Sequence, residues 1–198
     1  MKKMSILLKK EIKDFVYSSK CCFLFLLIIV GEKIMIKCNN GEYNLFFHFF
    51  WVTCAILQFV YDSFKTDVRE KGCLFLHNVR IPFSSYYLAK CYFCYAIMIL
   101  MLLGEAKRIV EISNIIQILY LFFLSMVSVP VGYFMLILVK GNEAVAAISS
   151  TLIVGGIFLT LTKIPASFMA VLLGITINVL LYFAVYMSYK SVYFRKQI

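Results

Sequence analysis

The sequence predicts an all-α polytopic membrane protein with six transmembrane helices, preceded by an amphipathic helix at the membrane surface. Two features of the chain predict this class. Of its 198 residues, 63% are hydrophobic and 17% are aromatic, whereas soluble domains contain about 45–50% apolar residues. Several apolar runs also reach the roughly 17–25 residues that a helix needs to cross a bilayer.

The first fourteen residues are expected to form the amphipathic helix. Met4, Leu8, Ile12 and Phe15 recur at helical spacing, while charged residues, Glu11 among them, occupy the rest of the helix surface. A basic amphipathic helix of this kind lies in the headgroup plane of a membrane. A plain positive flank that only orients the first span is the alternative.

The six spans follow within one transmembrane domain that covers residues 1–198. They are placed at about residues 15–30, 45–61, 87–103, 114–139, 144–161 and 166–186, with a loop at residues 62–86 and a basic tail at residues 190–198. Residues 104–113 are expected to form a short charged turn between the third and fourth spans.

Polar residues before several spans are expected to act as helix N-caps. Asn114 precedes the fourth span and Asn142 precedes the fifth, while Ser84 or Ser85 can serve the third. A side-chain oxygen at such a position accepts a hydrogen bond from one of the first free amides of the helix.

Three prolines are expected to interrupt or begin helices. Pro82 forbids continuation of a helix from the preceding loop, and Pro130 should kink the fourth span because proline lacks a backbone donor. Pro165 fits the first turn of the sixth span, where that donor is not needed.

The charge distribution predicts how the chain is oriented. The chain carries 20 Lys and Arg against 10 Asp and Glu, a net charge of +10. With six spans, 15 of the 20 basic residues fall on the side that holds both termini and residues 62–90. Because cytoplasmic loops carry the excess of Lys and Arg, both termini are predicted to lie in the cytoplasm, in the cell (cytoplasmic) membrane. The positive charge thus indicates orientation in a lipid bilayer, and no binding of nucleic acid is expected.

No motif for catalysis is present in the sequence. There is no phosphate-binding loop, no H-E-x-x-H pair and no pair of carboxylates within a span. Cys91 and Cys94 form a C-x-x-C, but with no His or carboxylate near them in sequence they are interpreted as packing residues. We therefore expect no enzyme, no catalytic residue, no metal site and no cofactor bound by this chain.

Small or polar residues recur at intervals of four on the last two spans, where they would let helices pack closely in lipid. They are Ala147, Thr151 and Gly155 on the fifth span, and Ala170, Gly174 and Asn178 on the sixth. Other neutral polar residues at depth are expected to bond to neighbouring helices, with a pathway lining as the alternative: Gln58, Ser125, Ser128, Thr160 and Thr176.

The loop at residues 62–86 combines charge with a short apolar face. Gly72 can end the helix that leaves the second span, because glycine readily adopts the left-handed conformation of a helix end. Leu74, Phe75 and Leu76 then give residues 73–81 an apolar face. A solvated connector has no need of such a face, whereas a helix seated in a cleft of a partner does.

This loop resembles the first cytoplasmic loop of ABC-2 type exporter permeases, in which a coupling helix sits on the ATPase subunit. The resemblance lies in Arg69, Glu70, Lys71 and Gly72, followed by Leu74, Leu76, Ile81, Pro82, Ser84, Leu88 and Lys90. Cys73 stands where the family usually has threonine. The resemblance implies a type V exporter-like half-transporter, with residues 1–14 as its elbow helix.

The resemblance also implies a function. The chain would be the membrane-spanning permease subunit of an ATP-driven ABC-2 type exporter that moves a hydrophobic substrate, peptide or lipid-like. A separate ATPase subunit would use the ATP, and a second permease subunit, identical or different, would complete the transporter. The residues implied to dock the ATPase are Asp67, Arg69, Glu70, Gly72, Leu74, Phe75, Leu76 and Pro82.

Two other classes of function stay open. A non-transporting integral membrane protein, such as an immunity or assembly factor, would act by helix–helix association. A small channel or secondary transporter would be driven by an ion gradient, and the nearly uncharged spans disfavour it.

Overall fold

The computed structural model describes residues 2–17, 44–68, 82–104, 106–139, 142–161 and 163–195, together with residues 23, 26, 30, 31, 33 and 37. The described elements are all helices. They are α1 (Lys2–Tyr17), α2 (Leu45–Val68), α3 (Phe83–Gly104), α4 (Ala106–Ile112), α5 (Ile115–Met126), α6 (Ser128–Leu138), α7 (Glu143–Leu161) and α8 (Phe168–Arg195).

Four helical segments are long and apolar enough to cross a membrane. They are Ser84–Gly104, Ile115–Leu138, Ala144–Leu161 and Phe168–Ser188, and the apolar part of α2, Leu45–Tyr61, is shorter. The protein is therefore a membrane-embedded, polytopic helical protein, as predicted. The first predicted span, residues 15–30, lies mostly outside the described residues, so that six spans stays a prediction.

The region after that predicted span is more helical than expected. Residues 31, 33 and 37 are helical, although the span was expected to end at Val30. Gly31 is buried, and a Cβ built on it would overlap the indole of Trp51 on α2. Glycine at this position therefore lets the two helices approach closely.

The third crossing begins earlier than the sequence predicted. The helix α3 starts at Phe83 rather than Tyr87, and the carbonyl of Pro82 accepts a hydrogen bond from the amide of Tyr86 at 3.1 Å. Ser84 and Ser85 therefore lie in the first turn, and their prediction as N-caps was wrong. Proline fits immediately before a helix because a donor there would have no partner within the helix.

The predicted charged turn at residues 104–113 is a helix instead. Its residues 106–112 form α4, in which Ile109 is 4% exposed. Ile109 belongs to a buried apolar cluster with Leu45 of α2 and Phe158 of α7. Burial of Ile109 thus stabilises this short helix. With seven residues, α4 is too short to show a helical pattern of apolar residues in the sequence.

The fourth crossing is broken in the middle, as Pro130 predicted. The helices α5 and α6 are separated at Val127, whose amide bonds to the carbonyl of Leu124 at 3.2 Å. Pro130 has no amide with which to bond the carbonyl of Met126, so one bond of the helical ladder is missing here, and the ladder resumes with the amide of Val131 and the carbonyl of Val127 at 3.2 Å. The hydroxyl of Ser128 donates to the carbonyl of Ser125 at 2.7 Å and satisfies one acceptor at the break.

The N-caps of α5 and α7 are as predicted, and α8 has an N-cap for which no prediction was made. The side-chain oxygen of Asn114 accepts from the amide of Gln117 at 2.8 Å, and that of Asn142 from the amide of Val145 at 3.3 Å. The helix α8 begins at Phe168, with the hydroxyl of Ser167 accepting from the amide of Ala170 at 3.2 Å.

The sixth predicted span, residues 166–186, corresponds to the apolar segment Phe168–Ser188, and the helix α8 that contains it has different limits. Because α8 begins at Phe168, Pro165 precedes the helix instead of lying in its first turn. At the other end α8 continues to Arg195, through most of the predicted tail.

The centre of the bundle is formed by α2 and α6. The helix α2 packs on α3, α5, α6 and α7, and α6 packs on α2, α7 and α8. In contrast, α7 and α8 lie at the periphery: only 22% of each apolar segment is buried, against 50% for α3 and 67% for the α5–α6 crossing.

Contacts between distant residues show that the crossings alternate in direction. At one end, Tyr61 of α2 bonds to Ala146 of α7, and the ring of Tyr87 of α3 lies 5.1 Å from that of Tyr182 of α8. We name this the charged end, because residues 62–82 connect α2 and α3 there. At the opposite end, the ring of Phe46 of α2 lies 5.4 Å from that of Phe158 of α7.

Candidate functional site

The structure describes the two edges of the predicted ATPase-docking loop. Asp67 lies in the last turn of α2, and Pro82 immediately precedes α3. The other predicted docking residues lie outside the described part of the chain: Arg69, Glu70, Gly72, Leu74, Phe75 and Leu76. What can be described is how the helices on either side of the loop are held.

Lys90 of α3 is the outstanding ionisable residue of the bundle. It is the single Asp, Glu, Lys or Arg in the five apolar helical segments that the structure describes. Ionisable residues within membrane-spanning segments are costly and mark functional or coupling positions. In the sequence, Lys90 was counted with the loop charges, but it lies about two turns inside α3.

Lys90 is paired with Glu11 of α1. The Nζ atom of Lys90 lies 2.7 Å from Oε1 of Glu11, and the two side chains are 8% and 13% exposed. The ammonium group also lies 5.5 Å from the centre of the Tyr86 ring, within the range of a cation–π interaction. The carboxylate and the ring together offset the cost of removing the ammonium from water.

Apolar contacts on either side of the ion pair seat α1 on the bundle. Phe15 is buried, with its ring 5.9 Å from that of Phe59 on α2 and 5.6 Å from that of Phe93 on α3. Leu8, one turn before Glu11, packs partly buried against the same core. The helix α1 is therefore attached to the two helices that the loop connects.

The packed face of α1 differs from the predicted one. Glu11, which was expected among the charged surface residues, lies on the packed face between Leu8 and Phe15, whereas Ile12 is 48% exposed. Glu11 follows Leu8 by three residues and precedes Phe15 by four, so helical spacing places it on that face. Two features of the sequence could have predicted this pair. Glu11 lies at helical spacing from Leu8 and Phe15, and Lys90 is a single lysine inside an apolar span.

Tyrosine side chains link three crossings at the same end. The ring of Tyr87 of α3 lies 5.3 Å from that of Tyr133 of α6 and 5.1 Å from that of Tyr182 of α8. Tyr61 near the end of the apolar part of α2 hydrogen-bonds Ser150 of α7, and its hydroxyl donates to the carbonyl of Ala146 at 3.2 Å. The start of α3 is therefore bound to both the centre and the periphery of the bundle.

Among the described residues, no group of three or more His, Cys, Asp or Glu side chains is placed to hold a metal ion. Cys91 and Cys94 are buried free cysteines in the core of α3, where they fill space. The described contacts at this end join α2 and α3 to α1, α6, α7 and α8.

The predicted small-residue seams face different neighbours. On α8, a Cβ added to Gly174 would lie 3.2 Å from Cβ of Phe123 of α5, and Asn178 donates to the carbonyl of Phe123 at 2.8 Å. Ala170 is buried in a cluster with Tyr120 of α5. This seam therefore lies along the first half of the fourth crossing.

The seam on α7 is less continuous. Ala147 packs against the main core, and Gly155 faces the ring of Phe50, 3.7 Å from a built Cβ, but Thr151 is exposed. Of the deep polar residues, Asn178 bonds to a neighbouring helix, and the hydroxyl of Ser125 also lies 3.5 Å from the carbonyl of Phe49 on α2. Ser128 bonds within its own crossing, and Gln58, Thr160 and Thr176 are exposed. The two hydroxyls among the exposed residues bond to carbonyls of their own helices.

Comparison of the chain with models of protein families, with curated proteins and with solved structures gives no match.

Proposed function

We propose that the chain is the membrane-spanning permease subunit of an ATP-driven ABC-2 type exporter. The proposal rests on the resemblance of residues 69–90 to the coupling loop of that family. One structural observation adds to it: the buried ion pair of Glu11 and Lys90 joins α1 to α3 close to where α3 leaves the loop. A segment that only connected two spans would have no need of such an attachment.

In this proposal, the loop is a lever for an ATPase bound at the charged end. Closure of the ATPase would move residues 73–81, and α2 and α3 would move with them. Because Lys90 holds α1 and Tyr87 contacts Tyr133 and Tyr182, movement of α3 would reach α1, α6 and α8 together. The turn before α7 would move through the bond of Tyr61 to Ala146.

The partners follow from the same proposal. A separate ATPase subunit binds and hydrolyses the ATP, and a second permease subunit completes the translocation path. The large exposed apolar surfaces of α7 and α8 are available to that subunit or to lipid. A hydrophobic peptide or a lipid-like molecule is the proposed cargo, moved across the cytoplasmic membrane with both termini of the chain in the cytoplasm.

The docking proposal is tested by two changes in the loop. We expect Leu76→Asp and Gly72→Val to weaken binding of the ATPase subunit that co-purifies with the wild-type chain in mild detergent. Loss of one well-seated apolar side chain costs about 2 kcal/mol, or about thirtyfold in affinity. Val110→Asp is a matched control, because Val110 is 69% exposed on α4 at the opposite end.

Membrane insertion should be unchanged in all three variants, so that loss of binding is not loss of folding. Wild-type retention of the ATPase by both loop variants would refute docking through this loop. Failure of any ATPase to co-purify with the wild-type chain would favour the alternative, an immunity or assembly factor that acts by helix–helix association.

A further inference from the structure

A cavity of about 500 Å³ opens at the end of the bundle opposite the loop. Phe46 of α2, Leu121 of α5 and Leu159 of α7 form its apolar wall, and the turn between α7 and α8 closes one side with Lys163. Cavities of about 300–1,000 Å³ with apolar walls and a few polar groups are typical of sites for small ligands.

The depth of the cavity is set by the ends of the crossings. The apolar segments that flank the turn end at Leu161 and begin again at Phe168, so Lys163 lies just beyond the hydrocarbon part of α7 and α8. The apolar wall lies within the crossings, since Phe46, Leu121 and Leu159 all belong to apolar segments. The cavity therefore runs from hydrocarbon depth to headgroup depth.

Charge at the mouth of the cavity is positive. Lys163 is exposed, and none of the described residues that line the cavity is acidic. Tyr120 contributes no free hydroxyl proton, because its hydroxyl donates to the carbonyl of Leu161 at 2.6 Å. The polar side chains left to meet a ligand are the ammonium group of Lys163 and the amide of Gln117.

We propose that this cavity binds an anionic phospholipid of the surrounding bilayer, with an acyl chain against Phe46, Leu121 and Leu159 and the phosphate at Lys163. An apolar wall at hydrocarbon depth with a cation at headgroup depth matches such an amphiphile in both chemistry and position. The site is independent of the proposed ATPase, since it lies at the other end of the molecule.

The test compares two lipids that differ in headgroup charge. The purified chain in neutral detergent is titrated with phosphatidylglycerol and with phosphatidylcholine of the same acyl chains, and the first bound lipid is counted by native mass spectrometry. We expect the wild-type chain to prefer phosphatidylglycerol and Lys163→Gln to lose about fivefold of that preference. Lys107→Gln is the matched control, because Lys107 is exposed on α4 but does not line the cavity.

A second variant tests the apolar wall. Leu159→Trp should fill part of the cavity and reduce the first bound lipid for both headgroups, with the preference between them less affected. An unchanged preference in Lys163→Gln, or an equal loss in Lys107→Gln, would overturn the proposal. So would dimers that bind no lipid while the monomers in the same spectra bind it, because a second copy of the chain would then cover the cavity.

Discussion

Glu11 and Lys90 are charged residues at positions where the surrounding face is apolar. A buried ammonium without a partner costs several kcal/mol, and its pairing with a carboxylate in good geometry offsets much of that cost. The 2.7 Å separation and the low exposure of both side chains place this pair in the buried class. Replacing one residue of the pair should therefore destabilise the protein more than replacing both.

We expect Lys90→Met and Glu11→Leu each to lower the free energy of unfolding by about 3 kcal/mol, because each leaves one buried charge without its partner. The double variant should recover most of this loss, since two apolar side chains can replace a buried pair. The wild type, the two single variants and the double variant form a double-mutant cycle. Their free energies of unfolding are measured by denaturant titration in detergent.

The control for this cycle is Lys9→Met. Lys9 is an exposed residue of α1, and its replacement should change the free energy of unfolding by no more than about 0.5 kcal/mol. Single variants at Glu11 and Lys90 that are as stable as the wild type would show that the pair does not hold α1 on the bundle.

Asn178 shows what sequence alone could predict of a single residue and what it could not. Its place at a four-residue interval with Gly174 predicted a packing seam, and the structure places both beside Phe123. Its partner could not be predicted. The carbonyl of Phe123 is available because the amide of Val127 turns to Leu124 at the break of the fourth crossing.

At the scale of the element, a glycine lies where α6 packs against α2. A Cβ added to Gly132 would lie 3.0 Å from Cγ1 of Val60 and 3.1 Å from Cδ2 of Leu57. By contrast, a Cβ added to Gly156 of α7 meets no atom within 4 Å. The two glycines are therefore a matched pair for the same substitution.

We expect Gly132→Val to lower the free energy of unfolding by about 2 kcal/mol, because the added atoms must displace α2. Gly156→Val should change it by no more than about 0.5 kcal/mol, since valine and glycine differ little in helix propensity and the site is open. Denaturant unfolding in detergent measures both. Equal losses in the two variants would mean that α6 and α2 are not packed as closely as the structure shows.

Cap and breaker residues predicted the starts of α5 and α7 and the interruption of the fourth crossing, whereas other boundaries have causes that act over longer distances. Asn114, Asn142 and Pro130 act locally, within one turn, so the sequence contains their effect. The helix α4 depends on burial of Ile109 against α2 and α7, which is a tertiary contact. The helix α8 continues past its apolar segment to Arg195, since a helix can extend beyond the hydrocarbon core of the membrane into the headgroup region and water.

At the scale of the whole molecule, the alternation of the crossings brings the predicted cytoplasmic segments together. The helix α1, both edges of the loop and the turn before α7 all lie at the charged end. The sequence predicted that these segments share one side because 15 of the 20 basic residues fall there. Which side of the membrane that is rests on the charge rule alone.

We expect a cysteine at position 107 to react with a membrane-impermeant maleimide in intact cells, and a cysteine at position 9 to react only after permeabilisation. Both positions are exposed, on α4 and α1 respectively. The seven native cysteines are replaced beforehand, and the cysteine-free chain serves as the background. The reverse pattern would place the loop outside the cell, beyond the reach of a cytoplasmic ATPase.

Trp51 is the sole tryptophan of the chain, and Gly31 lies directly against its indole. The polarity and crowding around that ring set the wavelength of its emission. Separation of the segment that contains Gly31 from α2 would expose the indole to a more polar environment and shift its emission to the red. The intrinsic fluorescence of Trp51 therefore reports that motion directly, without an added dye, a label or a mutation.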